Sequence, residues 1–509
     1  MCTPSTDTTT LVIGAGPGGL TAAYTLSQAG YPVTVFEQDP QFVGGISRTV
    51  VYQGYRFDIG GHRFFSKSQE VEQFWTEILG SEMLVCQRLS RIYYNQKFFD
   101  YPLRPLDAFA KLGFSYTLLC ILSYLKARFQ PRPSVTSFED WVINQFGERL
   151  YYTFFKTYTE KVWGIPCQAI SADWAAQRIK GLSMGSLIRN TLFPQRTHQK
   201  NIIKTLIDQF RYPRLGPGQM WEQVHAHLQA NHHPVLLGHQ VNRIFWDPSG
   251  ILGLQTLNTK GETCFWSGSH IISTMPLRSL IRALDPAPPS DVIVAAESLK
   301  YRDFLTVAII LDQPNLFPDH WIYIHDPNVQ VGRIQNFKNW SPDLVPNLNY
   351  TCLGLEYFCF IHNQLWQMSD TELLKLASDE LLKLGLRGDP QRPAQVIDGT
   401  VVRVPKAYPV YDHHYKSHVD IIRTYLQKTL PNLQLVGRNG MHRYNNQDHA
   451  MMTGMLAAEN IILGEFTYDL WQVNQDAVYL EQGEAGSQAL AGRLVPRPLR
   501  PLESERKSD

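Results

Sequence analysis

Residues 10–14 (TLVIG) and 33–37 (VTVFE) are two short, unbroken apolar runs. Runs of this length, rich in β-branched residues, predict strands buried on both faces. Between them, residues 17–29 carry small and apolar side chains at helical spacing, and Gly30 supplies the stop. The chain therefore opens as β-α-β. Residues 105–160 hold long helical-period apolar runs with few turn signals, and 171–210 continue in the same way. The sequence YPRLGPG at 212–218 breaks that pattern. Beyond it, VLLGHQVNRIFWD and the segment through HIISTMP predict strands, and FLTVAIILD, HWIYIHD and YTCLGLEYF make 300–360 strand-rich. Residues 450–463 predict a last apolar helix. From Glu484 on, apolar content is low and disorder is expected. No internal repeat is visible.

At 509 residues the chain exceeds one simple core, so two or three subdomains are expected. A net charge of +1 excludes a broad nucleic-acid footprint. Seven cysteines lie scattered with no CxxC spacing, which predicts reduced thiols in a cytoplasmic protein and neither a disulfide frame nor a metal site. The opening MCTPSTDTTT has no apolar signal core. The most apolar stretch, Leu112 to Leu125, is too short and too rich in hydroxyls to span a membrane, and a buried helix is expected there.

The chemistry starts at Gly14-Ala15-Gly16-Pro17-Gly18-Gly19, a G-x-G-x-x-G hexad between a predicted strand and a predicted helix. Gly14 permits the tight turn, Gly16 a close backbone approach to a pyrophosphate, and Gly19 close helix–strand packing. The helix N-terminus offers free N–H groups to the phosphates. Glu37 ends the second strand, 18 residues after Gly19, where a carboxylate accepts from both ribose hydroxyls and repels a 2′-phosphate. A dinucleotide site follows.

Three further groups of residues decide which dinucleotide. They are Gly44-Gly45-Ile46-Ser47-Arg48-Thr49, then Phe57-Asp58-Ile59-Gly60-Gly61-His62, and, near the C-terminus, Asn446-Gln447-Asp448 before the last helix. Their order resembles the flavin-containing amine oxidase superfamily, which includes protoporphyrinogen oxidases. The resemblance implies FAD, with Gly44, Gly45, Ser47 and Arg48 at the pyrophosphate region and Gly60 and Gly61 beside the isoalloxazine. It also implies that Gly18, Gly437 and Asp448 close over the cofactor.

Four segments spread over roughly 10–465 resemble more narrowly the UDP-galactopyranose mutase family. They are Tyr55 to His62, Lys161-Val162-Trp163-Gly164-Ile165-Pro166 with Trp174 and Arg178, Gly332 to Pro342 around Arg333, and Gly437-Arg438 with Arg443-Tyr444 and Asn446 to His449. Tyr101-Pro102-Leu103-Arg104 departs from that family's Tyr-Pro-Phe-Gln-type stretch. The resemblance implies His62 beside the flavin, an anion clamp of Arg178, Arg333 and Arg438, hydroxyls from Tyr408 and Tyr444, and Asn446 at the same site. A convergent arginine set binds a diphosphate with bidentate, charge-assisted hydrogen bonds.

The implied fold is α/β. A discontinuous Rossmann-like FAD-binding domain covers 1–100, 214–285 and 395–465. A helical insertion covers 101–213, an antiparallel β-sheet substrate domain 286–394, and a partly disordered extension 466–509. The implied function is a mutase-like reaction on a nucleotide-sugar or similar anionic substrate through the flavin N5. That scheme needs NAD(P)H or another reductant for the flavin. The alternative is an oxidoreductase that transfers hydride from substrate to flavin.

Overall fold

The computed structural model describes residues 9–474, apart from 67, 102, 173, 176–208, 389–390 and 392. Arg178, the helical pattern expected over 176–208 and the tail from Glu484 lie outside the described residues.

The chain opens as its apolar pattern requires, with strand β1 (Thr10–Ile13), helix α1 (Pro17–Gln28) and strand β2 (Val33–Glu37). Both strands sit in a five-stranded, wholly parallel sheet. Its order is Leu433–Leu435, His270–Ser273, β1, β2 and Val235–Leu237. Strands that bury both faces carry no polar side, which is why β1 is entirely buried. The last helix, Gln447–Leu463, packs across α1. A Cβ on Gly454 would stand 2.2 Å from the Gly18 carbonyl oxygen, so only glycine admits this crossing. The same logic holds at Gly19, whose Cβ would stand 1.9 Å from the Gly14 carbonyl oxygen.

A seven-stranded sheet forms the second layer, in the order Val396–Pro409, Tyr301–Leu311, Thr351–Cys359, Arg333–Asn336, Trp321–Ile324, Ser90–Tyr94 and Lys97–Asp100. Every pairing is antiparallel except that of Trp321–Ile324 with Ser90–Tyr94. This sheet reaches past the expected 286–394 on both sides. The reason lies in Tyr301–Leu311, which is buried along its whole length and needs a hydrogen-bonding partner on each edge. Val396–Pro409 supplies one and Thr351–Cys359 the other. Leu277, Val292, Ala295 and Leu299 pack instead into the core of the parallel sheet.

A set of helices packs against the seven-stranded sheet: Pro105–Leu112, Phe114–Phe129, Phe138–Phe146 and Thr157–Trp163. Ser137 and Asp140 cap the third reciprocally. Phe114–Phe129 is not the buried helix its hydropathy suggests, because it packs through Cys120 and Ala127 while Phe114, Leu122 and Phe129 stay exposed. Where the helical pattern was expected to run to residue 210, Gln209–Pro213 is a strand paired with Met83–Gln87. Cys86, Cys120, Cys167, Cys352 and Cys359 are buried free thiols. Cys264 is disulfide-bonded, so the expectation of reduced thiols throughout fails there.

Two measurements test this core. Gly454→Val should cost about 1–3 kcal/mol in denaturant unfolding, because neither helix backbone can withdraw without opening the core. Burial also pushes the imidazoles of His325 and His442 down to about 3. The unfolded chain therefore binds more protons than the fold between pH ~6.5 and ~3, and stability should fall as pH drops through that window. Replacing His442 with Gln should flatten that slope in a pH series of urea melts.

Candidate functional site

The glycine loop after β1 is built for close approach. Gly14 has φ +94°, and a Cβ there would meet the Thr274 hydroxyl. The Gly44 amide donates to the Ala15 carbonyl at 2.8 Å, which docks the glycine doublet on the first loop. Both Gly44 (φ +94°) and Gly45 (φ +54°) are left-handed, and Ser47 is buried at the end of the turn they start. Glu37 closes the loop from below: its Oε2 accepts from the Ala15 amide at 2.8 Å and its Oε1 from the Asp39 amide at 2.9 Å. Arg48 is held by Asp39 at 2.7 Å and lies over the Phe42 ring.

The chain returns to this loop at its far end. The Gly437 amide donates to the Thr453 hydroxyl at 3.0 Å, and a Cβ on Gly18 would stand 3.5 Å from the Gly437 Cα. Asp448, in the first turn of the last helix, lies 3.5 Å from the Ser66 hydroxyl, and the Asn446 amide donates to His449 Nδ1 at 3.3 Å.

These residues fit a dinucleotide cofactor. A Cβ on Gly16 or Gly437 would touch no protein atom, and one on Gly45 would touch only the Gly16 Cα, so the backbone there borders open space. The Gln447 side-chain nitrogen and His62 Nδ1 are buried without a hydrogen-bond partner among the described residues. Free amides at the N-terminus of α1 complete the set suited to phosphates.

A second cluster stands beside the first. Gly60 (φ +96°) turns the chain so that a Cβ on it would lie 3.6 Å from His62 Cε1 and 4.0 Å from Arg333 Nη2. Gly61 faces the side chain of Gln335 at 3.6 Å. Strand register then sets Arg333 directly opposite Glu356, which its Nε meets at 2.6 Å and its Nη2 at 2.5 Å. Burial works against the Arg333 charge, but Glu356 outweighs it and holds the guanidinium well above its ordinary value. Arg438 comes from the other side, its Cζ 5.0 Å from the ring centroids of both Tyr408 and Tyr444. Those two rings stack at 5.7 Å and 11°. Arg438 Nε donates to the Asn445 carbonyl at 3.0 Å and Nη1 to that of Ala407 at 3.4 Å.

His62 feels both arginines. Burial first, then Arg438 and Arg333, push its imidazole down to about 3. It is neutral near pH 7, with the unpartnered Nδ1 available to a bound group. Burial and then the Tyr444 neighbour push the Tyr408 hydroxyl up, so it stays protonated and able to donate.

Of the sequence-derived residues, the structure brings His62, Gly60, Gly61, Arg333, Arg438, Tyr408 and Tyr444 together. Arg104 is exposed and lies 3.7 Å from Asp100. Sequence reasoning missed Glu356, Tyr158 and Tyr323. Tyr158 stacks on His325 at 4.8 Å, meets Tyr323 edge-on at 5.5 Å and feels both Arg333 and Glu356. Glu356 left a signal, as the one carboxylate in the apolar run TCLGLEYFC. Tyr158 left a weaker one, a turn ahead of Lys161. Lys161 pins the loop between Trp321–Ile324 and Arg333–Asn336 by donating to the carbonyls of Ile324, Asp326 and Val331.

Removing the carboxylate with Glu356→Gln leaves a guanidinium buried without its counter-charge. Denaturant melts should show a loss of roughly 3–5 kcal/mol.

The fold is similar to that of several solved proteins. A reduced UDP-galactopyranose mutase aligns over 93% of this chain and 99% of its own, with a TM-score of 0.78 and 22% identity. A putrescine oxidase bound to putrescine aligns over 90% of this chain and 100% of its own, with a TM-score of 0.60 and 17% identity. Among curated proteins, a 4,4'-diapophytoene desaturase of Methylomonas sp is 32% identical over 83 residues, which is 16% of this chain and 14% of that protein. A phytoene desaturase of Cercospora nicotianae is 46% identical over 52 residues, or 10% of this chain and 8% of that protein. The chain thus matches only a short part of each curated relative. A family model described as flavin containing amine oxidoreductase covers residues 17–462. FAD is the cofactor that this membership brings. With that match over most of its length, the chain belongs to the flavin-containing amine oxidoreductase family.

Proposed function

We propose that the protein is a UDP-galactopyranose mutase-like flavoenzyme acting on a nucleotide-sugar or a similar diphosphate-bearing substrate. The observation that carries this reading is the approach of two guanidiniums, over a hundred residues apart in sequence, to one neutral histidine: Arg333 and Arg438 at His62. Among the described residues the Nη1 of Arg333 and the Nη2 of Arg438 make no hydrogen bond, and both suit phosphate oxygens. The protonated Tyr408 hydroxyl adds a donor, and the Tyr444 hydroxyl is a second candidate. Arg178 is assigned to the same clamp from the sequence resemblance.

When bound, FAD supplies the reactive N5. Gly16, Gly45 and Gly437 would admit its pyrophosphate, Gly14, Gly18, Gly19 and Gly44 would hold the loops that shape that space, Glu37 would take the ribose, and Gly60 and Gly61 would leave room for the ring. Ser47, Arg48 and Asp448 support the phosphate and ribityl side. Neutral His62 presents an acceptor or donor to the ring edge without adding a third positive charge. Asn446 caps the last helix, two residues after Tyr444.

A second reading is hydride transfer from an organic substrate to the flavin. It is favoured by Glu356, which already balances Arg333 and leaves Arg438 as the cation without an acidic partner among the described residues.

The two readings separate in one experiment. Purified holoprotein is reduced with dithionite and mixed with a panel of UDP-sugars. A ring-isomer product and a flavin spectral change are expected. Oxygen-dependent turnover of an amine or polyene without dithionite, with no response to any UDP-sugar, would favour hydride transfer instead. In a UDP titration followed by flavin fluorescence, Arg438→Ala should weaken binding roughly tenfold to a hundredfold, the equivalent of a charge-assisted hydrogen bond worth about 1.5–3 kcal/mol.

A further inference from the structure

The helix Phe114–Phe129 presents an outer face that the enzyme reading does not use. Phe114 is 85% exposed, Leu118 47%, Leu122 53%, Leu125 41% and Phe129 82%. At about 100° per residue these five fall within an arc of about 80°. Cys120 and Ala127, the buried side chains of this helix, lie diametrically opposite that arc. Lys126 and Arg128, its only charged residues, flank the arc at about 40° on either side. Both are exposed. Of the basic residues nearby, Lys111 is paired with Asp107 and Arg132 with Glu139 and Asp140, so the positive charge of this face rests on Lys126 and Arg128.

We propose that this face is an interfacial docking surface for an anionic lipid bilayer, with the helix lying in the plane of the headgroups. A row of large apolar side chains bordered on both sides by cations whose stems can reach up to phosphate matches that environment. Sixteen residues rise about 24 Å along the surface, and among the described residues no helix is long and apolar enough to cross a membrane. A second copy of the chain is a poorer occupant, because two such faces in contact bring their basic flanks together. The buried side of the helix joins the apolar cluster that contains Phe304 and Tyr408, so docking would set the candidate site at a fixed distance from the lipid.

Vesicle flotation of the full-length holoprotein tests this. Vesicles of phosphatidylcholine alone are compared with vesicles containing phosphatidylglycerol. The protein should partition onto the anionic vesicles on the order of tenfold more strongly, less so as salt is raised. The triple variant Phe114→Ser, Leu122→Ser, Phe129→Ser should lose that binding by on the order of tenfold or more, with flavin absorbance and melting temperature unchanged. Lys126→Glu with Arg128→Glu should abolish the preference for phosphatidylglycerol and serves as an independent arm. The proposal is overturned if the wild-type chain floats with neither vesicle, if either variant floats like the wild type, or if the wild type is a dimer that the serine variant converts to monomer.

Discussion

Gly18 and Gly454 allow the first and last helices to touch backbone to backbone, and the site depends on that contact. It carries the turn from Gly437 to Asp448 onto the glycine loop after β1. Any side chain at the crossing would push the helices apart by more than a cofactor's phosphate contacts tolerate. The candidate site of this long chain then lies where its first and last described α-helices meet. The sheet of Tyr301–Leu311 and its neighbours supplies the opposite wall.

That wall has an unusual electrostatic composition. Arg333 and Glu356 face each other across two strands, both largely out of water, while Arg438 lies against tyrosine faces. A guanidinium tolerates such surroundings because it is weakly hydrated and finds partners in carbonyls and π-faces. An imidazole does not, and His62 gives up its proton. The centre thus carries its positive charge on guanidiniums, which do not deprotonate, while its histidine is kept neutral. A bound anion would meet fixed charge rather than a mobile proton.

Much of this was legible in the sequence for stated reasons. The opening β-α-β unit follows from two short apolar runs around glycines at fixed offsets, and the structure reproduces those elements to within a residue. Gly60, His62, Arg333, Arg438 and Tyr444 lay in ordered motifs, and they converge, with Tyr408, which lay in none of those motifs, beside them. Glu356 and Tyr158 were missed because their significance lies in cross-strand register and helix packing, which no local window contains. The exposure of Phe114–Phe129 was misjudged for a related reason: hydropathy reports how apolar a segment is, not whether anything is left to cover it. The limits of the second sheet were misplaced because the partner of Tyr301–Leu311 comes from residues 396–409, beyond the strand-rich stretch.

The strands Met83–Gln87 and Gln209–Pro213 pair with each other. Between them the chain leaves to form Ser90–Tyr94, Lys97–Asp100 and the helices, and it returns beside the point of departure. The pairing acts as a clasp at the neck of a long excursion. Material beyond the clasp can be lengthened, shortened or exchanged with little loss of closure entropy, because the two necks stay together whatever lies between them. A fold organised this way can vary the outer helices of that excursion, while Ser90–Tyr94 stays tied into the seven-stranded sheet and the nucleotide-holding frame keeps its closure.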